Sequence, residues 1–238
     1  MTTTRYDYDA TPERYRLGMR LAARHTIGQS LYERIAQRLA GKPSGPVLDV
    51  GTGDGPLRAA LGHQRGLVVG LDLSLTMLAS QAGPVVLGHA GALPFAAASF
   101  AVVVAVNVLD HLADPQIAIS EAHRVLRPGG LFVAAATSRH DSPEFAPYWR
   151  PQRTPFDAED AADLVGAVFN AVEVDAWDAP LVQLPHPDAV RDYLLARQAS
   201  HAVATAVAAN LPTPLTVTKR GAAVYAHRLY SAAFRAQA

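Results

Sequence analysis

The residues whose types and spacing point to chemistry begin at Val47 to Gly55, which reads VLDVGTGDG. Val47, Leu48 and Val50 form a short apolar run of the kind buried in a parallel sheet, and Gly51, Gly53 and Gly55 end it at alternate positions. Without Cβ atoms, these glycines let the backbone turn through positive φ and let a ligand come closer than a side chain would allow. Pro56 suits the first turn of a helix, where its missing N–H costs nothing. Strand, glycine loop and helix together make a unit that cradles a nucleotide. Downstream, a second apolar run from Leu67 to Leu71 ends in Asp72, whose carboxylate is placed to accept both hydroxyls of an adenosine ribose. A longer run, Phe100 to Val106, delivers Asn107, Asp110 and His111, and a neutral imidazole at His111 can deprotonate a hydroxyl or an amine.

Two large enzyme classes use such a loop. A dinucleotide-binding fold wants G-x-G-x-x-G, but here the third glycine comes one residue early and Pro56 stands in its place, which argues against NAD.

The elements that must position these groups follow from periodicity. Helical spacing covers Glu13 to about Arg24 and again Ile27 to Ala40, where Leu31, Ile35 and Leu39 form a stripe that Gly41 and Pro43 stop. Tyr6, Tyr8 and Tyr15 are aromatics that a lid can use. A short helix follows Pro56, and Ser74 caps another that is expected to run from Leu75 to near Gly83 and Pro84. Val85 to Leu87 is a third strand, and Phe100 to Val106 reads as a central strand buried on both faces, with Asn107 to His111 at its ligand-facing end. The helix after Asp114 and Pro115 closes in RVLRPGG, whose Pro128, Gly129 and Gly130 are read as the turn into a fifth strand, Leu131 to Ala136. A long loop over residues 138–155 holds four prolines, Phe145, Tyr148 and Trp149, and its length suits a substrate lid. A helix at Asp157 to Phe169, a strand within 172–184, a helical stretch from Asp188 to Asn210 and a last strand within 215–227 complete the chain.

The glycine loop, Asp72, the block GHAGALPFAAASF from Gly88 to Phe100 and RVLRPGG occur in the order of the class I S-adenosylmethionine (SAM)-dependent methyltransferases, and the chain resembles their type 11 branch over roughly residues 45–137. The resemblance implies an α/β fold with a doubly wound, Rossmann-like sheet of seven strands in the order 3-2-1-4-5-7-6, the seventh antiparallel. It implies that Asp49, Gly51, Thr52 and Gly53 line the methionine and ribose part of SAM and that Asp72 takes the ribose hydroxyls. Leu73 and Met77 would flank adenine, His89 and Ala90 would meet its edge, and Asn107 would lie near the sulfonium. The reaction implied is methyl transfer to an O, N or C atom of a small-molecule acceptor, a bacterial specialised metabolite, with S-adenosylhomocysteine as product and His111 as candidate base. The alternative is a SAM-fold protein that uses the bound cofactor as scaffold for a non-methylating reaction such as a cyclisation; a non-enzymatic SAM-binding subunit is a third reading. Where the family usually has aspartate before Ala90, this chain has His89, whose neutral ring offers adenine one acceptor nitrogen. Asn107, Asp110 and His111 also resemble the E-x-x-E-H metal site of some methyltransferases, but both glutamates are replaced, so no metal is expected.

Composition agrees with one enzyme domain. The 238 residues are half hydrophobic, enough for a full α/β core, and 21 basic residues balance 21 acidic ones, so no charge footprint recommends a nucleic acid or an anionic membrane. Cysteine is absent, no apolar run approaches eighteen residues, and the polar start MTTTRYDYDA lacks a signal-peptide core, which leads to the expectation of a cytoplasmic protein. A homodimer is compatible with these features. The expected division is an N-terminal helical lid over residues 1–44 and a SAM-binding core over 45–238, with substrate-covering insertions at about 138–155 and 186–212.

Overall fold

The computed structural model describes residues 11–41, 43–62 and 66–230. Tyr6 and Tyr8 lie outside them. Seven strands, β1 (Val47–Val50), β2 (Val68–Asp72), β3 (Val85–Leu87), β4 (Phe100–Val106), β5 (Leu126–Thr137), β6 (Glu173–Leu184) and β7 (Leu215–His227), form one sheet in the order β3-β2-β1-β4-β5-β7-β6. Strands β1 to β5 pair in parallel, and β7 runs antiparallel between β5 and β6, as expected. The chain winds outward from β1 to β3, then returns to place β4 on the other side of β1. The crevice at the carboxyl ends of β1 and β4 is therefore the switch point where open α/β sheets bind ligands.

Burial explains the strands. All seven residues of β4 are buried, so it reads as a continuous apolar run, with α5 (Pro115–Val125) and α6 (Ala158–Phe169) over one face. The other face packs against α2 (Leu31–Leu39) and α3 (Pro56–Leu61), where Ile35, Leu39 and Leu57 are fully buried. Ser30 caps α2 in a capping box with Glu33. A third apolar cluster stands apart from these two. It joins Phe145, Leu184 and Val217 to α7 (Pro187–Ala196) and α8 (His201–Asn210), which lie between the outer ends of β6 and β7.

Three element boundaries differ from the sequence expectation. The helix begun by Ile27 starts instead at Leu31, because the Ile27 N–H donates to the Leu181 carbonyl at 2.7 Å and Thr26 bridges Val182, which ties the end of α1 (Pro12–His25) to β6. The helix begun at Leu75 is one turn, α4 (Leu75–Leu78): Met77 and Leu78 are buried, and no apolar repeat continues it. In RVLRPGG, Arg124 and Val125 end α5, and Leu126 to Gly130 are not a turn before β5 but its first part. Leu126 already pairs with Phe100, and the pairing then shifts register so that Val102 faces Leu131, with Gly129 at positive φ in between.

RVLRPGG also has a packing role. Arg124 donates to the carbonyls of Phe95 at 2.8 Å and Leu93 at 2.9 Å and pairs with Glu121, whose other oxygen accepts the Leu93 N–H at 2.8 Å. Arg124 and Glu121 on α5 thus clamp the Leu93-Pro94-Phe95 loop.

Candidate functional site

The glycine loop lies at the switch point, with Gly51, Gly53 and Gly55 all at positive φ. Its backbone is occupied from within. The N–H groups of Gly51 and Thr52 both donate to the Leu71 carbonyl, at 2.8 and 3.0 Å, and the Gly55 N–H donates to Thr52. The Gly53 N–H donates to Asp72 Oδ2 at 2.8 Å, while Asp72 Oδ1 accepts the Ser74 N–H at 2.9 Å. Asp72 thereby fastens the loop after β1 to the turn after β2. A carboxylate has about four acceptor positions, so capacity remains on this half-buried side chain for hydroxyl donors.

Side chains from elsewhere fill the space that the glycines leave. A Cβ at Gly53 would stand 2.5 Å from the Tyr15 hydroxyl, and one at Gly51 would collide with Val108. Tyr15, on α1, donates to Asp54 Oδ1 at 2.9 Å. Burial, with Tyr32 and Asp54 adding to it, holds the Tyr15 phenol far above its ordinary pKa, so it stays a neutral donor. Gln81 braces the loop from another side, donating to the Gly53 carbonyl at 2.7 Å and to Thr52 at 3.2 Å.

Asp49 is 3% exposed, and Thr52 Oγ1 donates to it at 2.7 Å. Burial raises its pKa to about 7, against the lowering effect of the Thr52 hydrogen bond and the Arg58 charge; Asp72 raises it further. Three carboxylates, Asp49, Asp54 and Asp72, therefore stand on or beside one short loop.

The structure also places the other sequence-expected residues. Leu73 is 60% exposed beside Asp72, open to a flat apolar ligand, whereas Met77 is 3% exposed and offers it little surface. His89 is exposed, but its Nδ1 accepts the Gly91 N–H at 3.0 Å. The acceptor nitrogen expected to face adenine is thus spent on the chain's own turn, and the neutral ring turns an Nε2–H donor outward. Ala90 is buried in the core beside it. Asn107 leaves β4 at φ 51° and is exposed, with its N–H on the Ala135 carbonyl. His111 lies half-buried in the following turn, Nδ1 3.8 Å from Asp110 Oδ2. Among the described residues no group of three or more His, Cys, Asp or Glu side chains could hold a metal ion, and no helix is long and apolar enough to cross a membrane. Sequence reading missed Val108 and Gln81, whose parts are set by contacts across the fold.

The residues present fit SAM: a ribose-type carboxylate with spare acceptors, a buried carboxylate on the loop, and an exposed apolar side chain at the end of β2. The strand order is that of a class I SAM-dependent methyltransferase domain. Residues 48–134 match the profile of a family described as methyltransferase domain. The chain is 34% identical, over 49% of its length and 45% of the relative's, to a Mycolicibacterium smegmatis protein described as a probable S-adenosylmethionine-dependent methyltransferase. It is 33% identical to the demethylmenaquinone methyltransferase of Mycolicibacterium paratuberculosis, over 60% of this chain and 63% of that one. In fold it resembles the [4+2]-cyclase SpnF, with a TM-score of 0.64 and 17% identity over 94% of this chain and 95% of that one. The chain spans about half the length of the first of the curated relatives it matches.

Proposed function

We propose that this chain binds SAM on the glycine loop and transfers its methyl group to an O, N or C atom of a small-molecule acceptor. The observation that carries the reading is where the loop's hydrogen bonds go. The N–H groups of Gly51, Thr52, Gly53 and Gly55 all donate within the protein, so they are not a cradle for a diphosphate, and Pro56 has no N–H to add. Around them stand Asp49, Asp54 and Asp72, which favour a ligand of net positive charge that also carries hydroxyls. SAM meets both requirements; a dinucleotide has ribose hydroxyls, but its diphosphate gives it the wrong charge for these carboxylates.

Bound there, SAM supplies a methyl group on a positively charged sulfur, already activated toward a nucleophile. What remains for the chain is to place the acceptor, exclude water and accept a proton where the nucleophile carries one. Asn107 and His111, at the carboxyl end of β4, stand where an acceptor would reach the crevice, and His111 is the proposed base for a protonated nucleophile. The helices α1, α7 and α8 supply the cover. Relatives named as demethylmenaquinone and ubiquinone/menaquinone biosynthesis methyltransferases support a small-molecule metabolite as acceptor. Incubation with methyl-labelled SAM and a panel of candidate metabolites tests the reading: label should pass to one acceptor class with equimolar S-adenosylhomocysteine.

A second reading rests on the fold shared with a cyclase over nearly the whole chain. There the cofactor stays bound and intact while the substrate isomerises. A substrate converted to a product of unchanged mass, with no SAM consumed, would favour it.

A further inference from the structure

A buried polar cluster lies outside the cofactor loop. Lys219 of β7 pairs with Asp141 and also donates to Tyr193 Oη at 3.2 Å and Ser142 Oγ at 3.4 Å. Asp141 in turn accepts the Ser142 hydroxyl at 2.9 Å and the Arg220 N–H at 2.7 Å, and Ser142 Oγ lies 3.0 Å from Tyr193 Oη. Asp141, Ser142 and Tyr193 are each no more than 3% exposed. The chain has only two lysines, Lys42 and Lys219, and uses arginine elsewhere. Here three acceptors surround one compact ammonium, a geometry that a planar guanidinium does not match.

The cluster joins the outer end of the sheet to the cap. Tyr193 belongs to α7, where the Arg197 guanidinium covers its ring at 3.6 Å. The helix α7 packs on α1, with Gly18 facing Ala196. No residue of α1 is fully buried, so its position depends on α7, on Leu21 against the third apolar cluster, on the Thr26 and Ile27 bonds to β6, and on Tyr15 at the glycine loop. A helix with no fully buried residue takes its position from such neighbours.

We infer that Lys219 is a positioning residue for the cofactor loop: through Tyr193 it fixes α7, α7 fixes α1, and α1 holds Tyr15 on Gly53 and Asp54. Breaking the cluster at its far end then loosens the cover on the cofactor without touching the loop. The inference rests on SAM occupying that loop.

Stopped-flow dissociation of SAM and of S-adenosylhomocysteine from the full chain tests it, with a thermal melt on each variant. Lys219→Met breaks the cluster at its charge. Tyr193→Phe breaks only the α7 end, keeps the Lys219–Asp141 pair, and decides the matter if Lys219→Met does not fold. Tyr193→Phe and Tyr15→Phe should each raise the dissociation rate roughly three- to tenfold, the range of one hydrogen bond, and the double variant should gain less than the product of the two. Dissociation within twofold of wild type for Tyr193→Phe, whatever its melting temperature, or rates that simply multiply in the double variant, would overturn the inference. A wild-type chain that binds neither ligand would instead sink the SAM reading itself.

Discussion

The carboxylate of Asp72, at the end of β2, accepts the N–H of Gly53, nineteen residues earlier in the glycine loop, at 2.8 Å. Two motifs that look separate in the sequence are thus one structure. Asp72→Ala removes that bond, the Ser74 bond and the proposed ribose acceptor together. SAM affinity should fall by at least tenfold, since hydrogen bonds to a charged group contribute about 1.5–3 kcal/mol each, and the melting temperature should fall too, because the Gly53 and Ser74 bonds are lost. Calorimetric titration of SAM into the variant checks this, and unchanged affinity would remove Asp72 from the site.

Asp49 makes the site sensitive to pH. Its folded-state pKa of about 7 lies above the unfolded value, so the stability it contributes is full below about pH 4 and is lost as pH rises through about 7. Melting temperature should decline over that interval, and Asp49→Asn, which keeps an acceptor for Thr52, should flatten the decline. A cationic ligand on the loop favours the ionised form, so SAM should bind more tightly as pH rises through 7 in the wild type and not in Asp49→Asn. Parallel pH profiles for the two proteins would mean that the Asp49 charge does not meet the ligand.

At His89 the acceptor nitrogen is spent on Gly91, so a ligand edge reaching this exposed ring would meet the remaining N–H as a donor. An aspartate would keep the turn by accepting the same N–H and leave a second oxygen free for the adenine amino group. His89→Asp should therefore strengthen SAM binding several-fold, and His89→Ala, which loses the turn, should weaken it. If calorimetry finds both variants equal to wild type, position 89 does not touch the cofactor.

Arg124 is expected to matter for stability. Arg124→Ala strands the carbonyls of Leu93 and Phe95 and unpairs Glu121, and should cost about 1–3 kcal/mol in denaturant unfolding. A loss below half a kilocalorie per mole would show that the loop holds itself.

Much of this was legible in the chain itself, for local reasons. The all-apolar β4 and the alternate glycines after β1 announce a buried parallel strand and a tight loop, because those properties depend on neighbours in sequence. What was hidden depends on partners far along the chain. Ile27 has a helical pattern but joins β6 through Leu181, and nothing near Tyr15 says that its hydroxyl will rest on Gly53. The third apolar cluster, with Phe145, Tyr193 and Val217, draws on three segments that read separately as loop, helix and strand. His89 misled because residue type reveals an acceptor nitrogen but not which donor has already claimed it.

On the proposed function, the glycine loop takes SAM and not a dinucleotide. Titration calorimetry of the full wild-type chain with SAM, S-adenosylhomocysteine and NAD, repeated on Asp72→Ala, tests it most directly. Saturable one-to-one binding of the first two, none of NAD, and a loss of at least tenfold in the variant are expected. Binding of NAD without SAM, or SAM binding that Asp72→Ala leaves untouched, would contradict it.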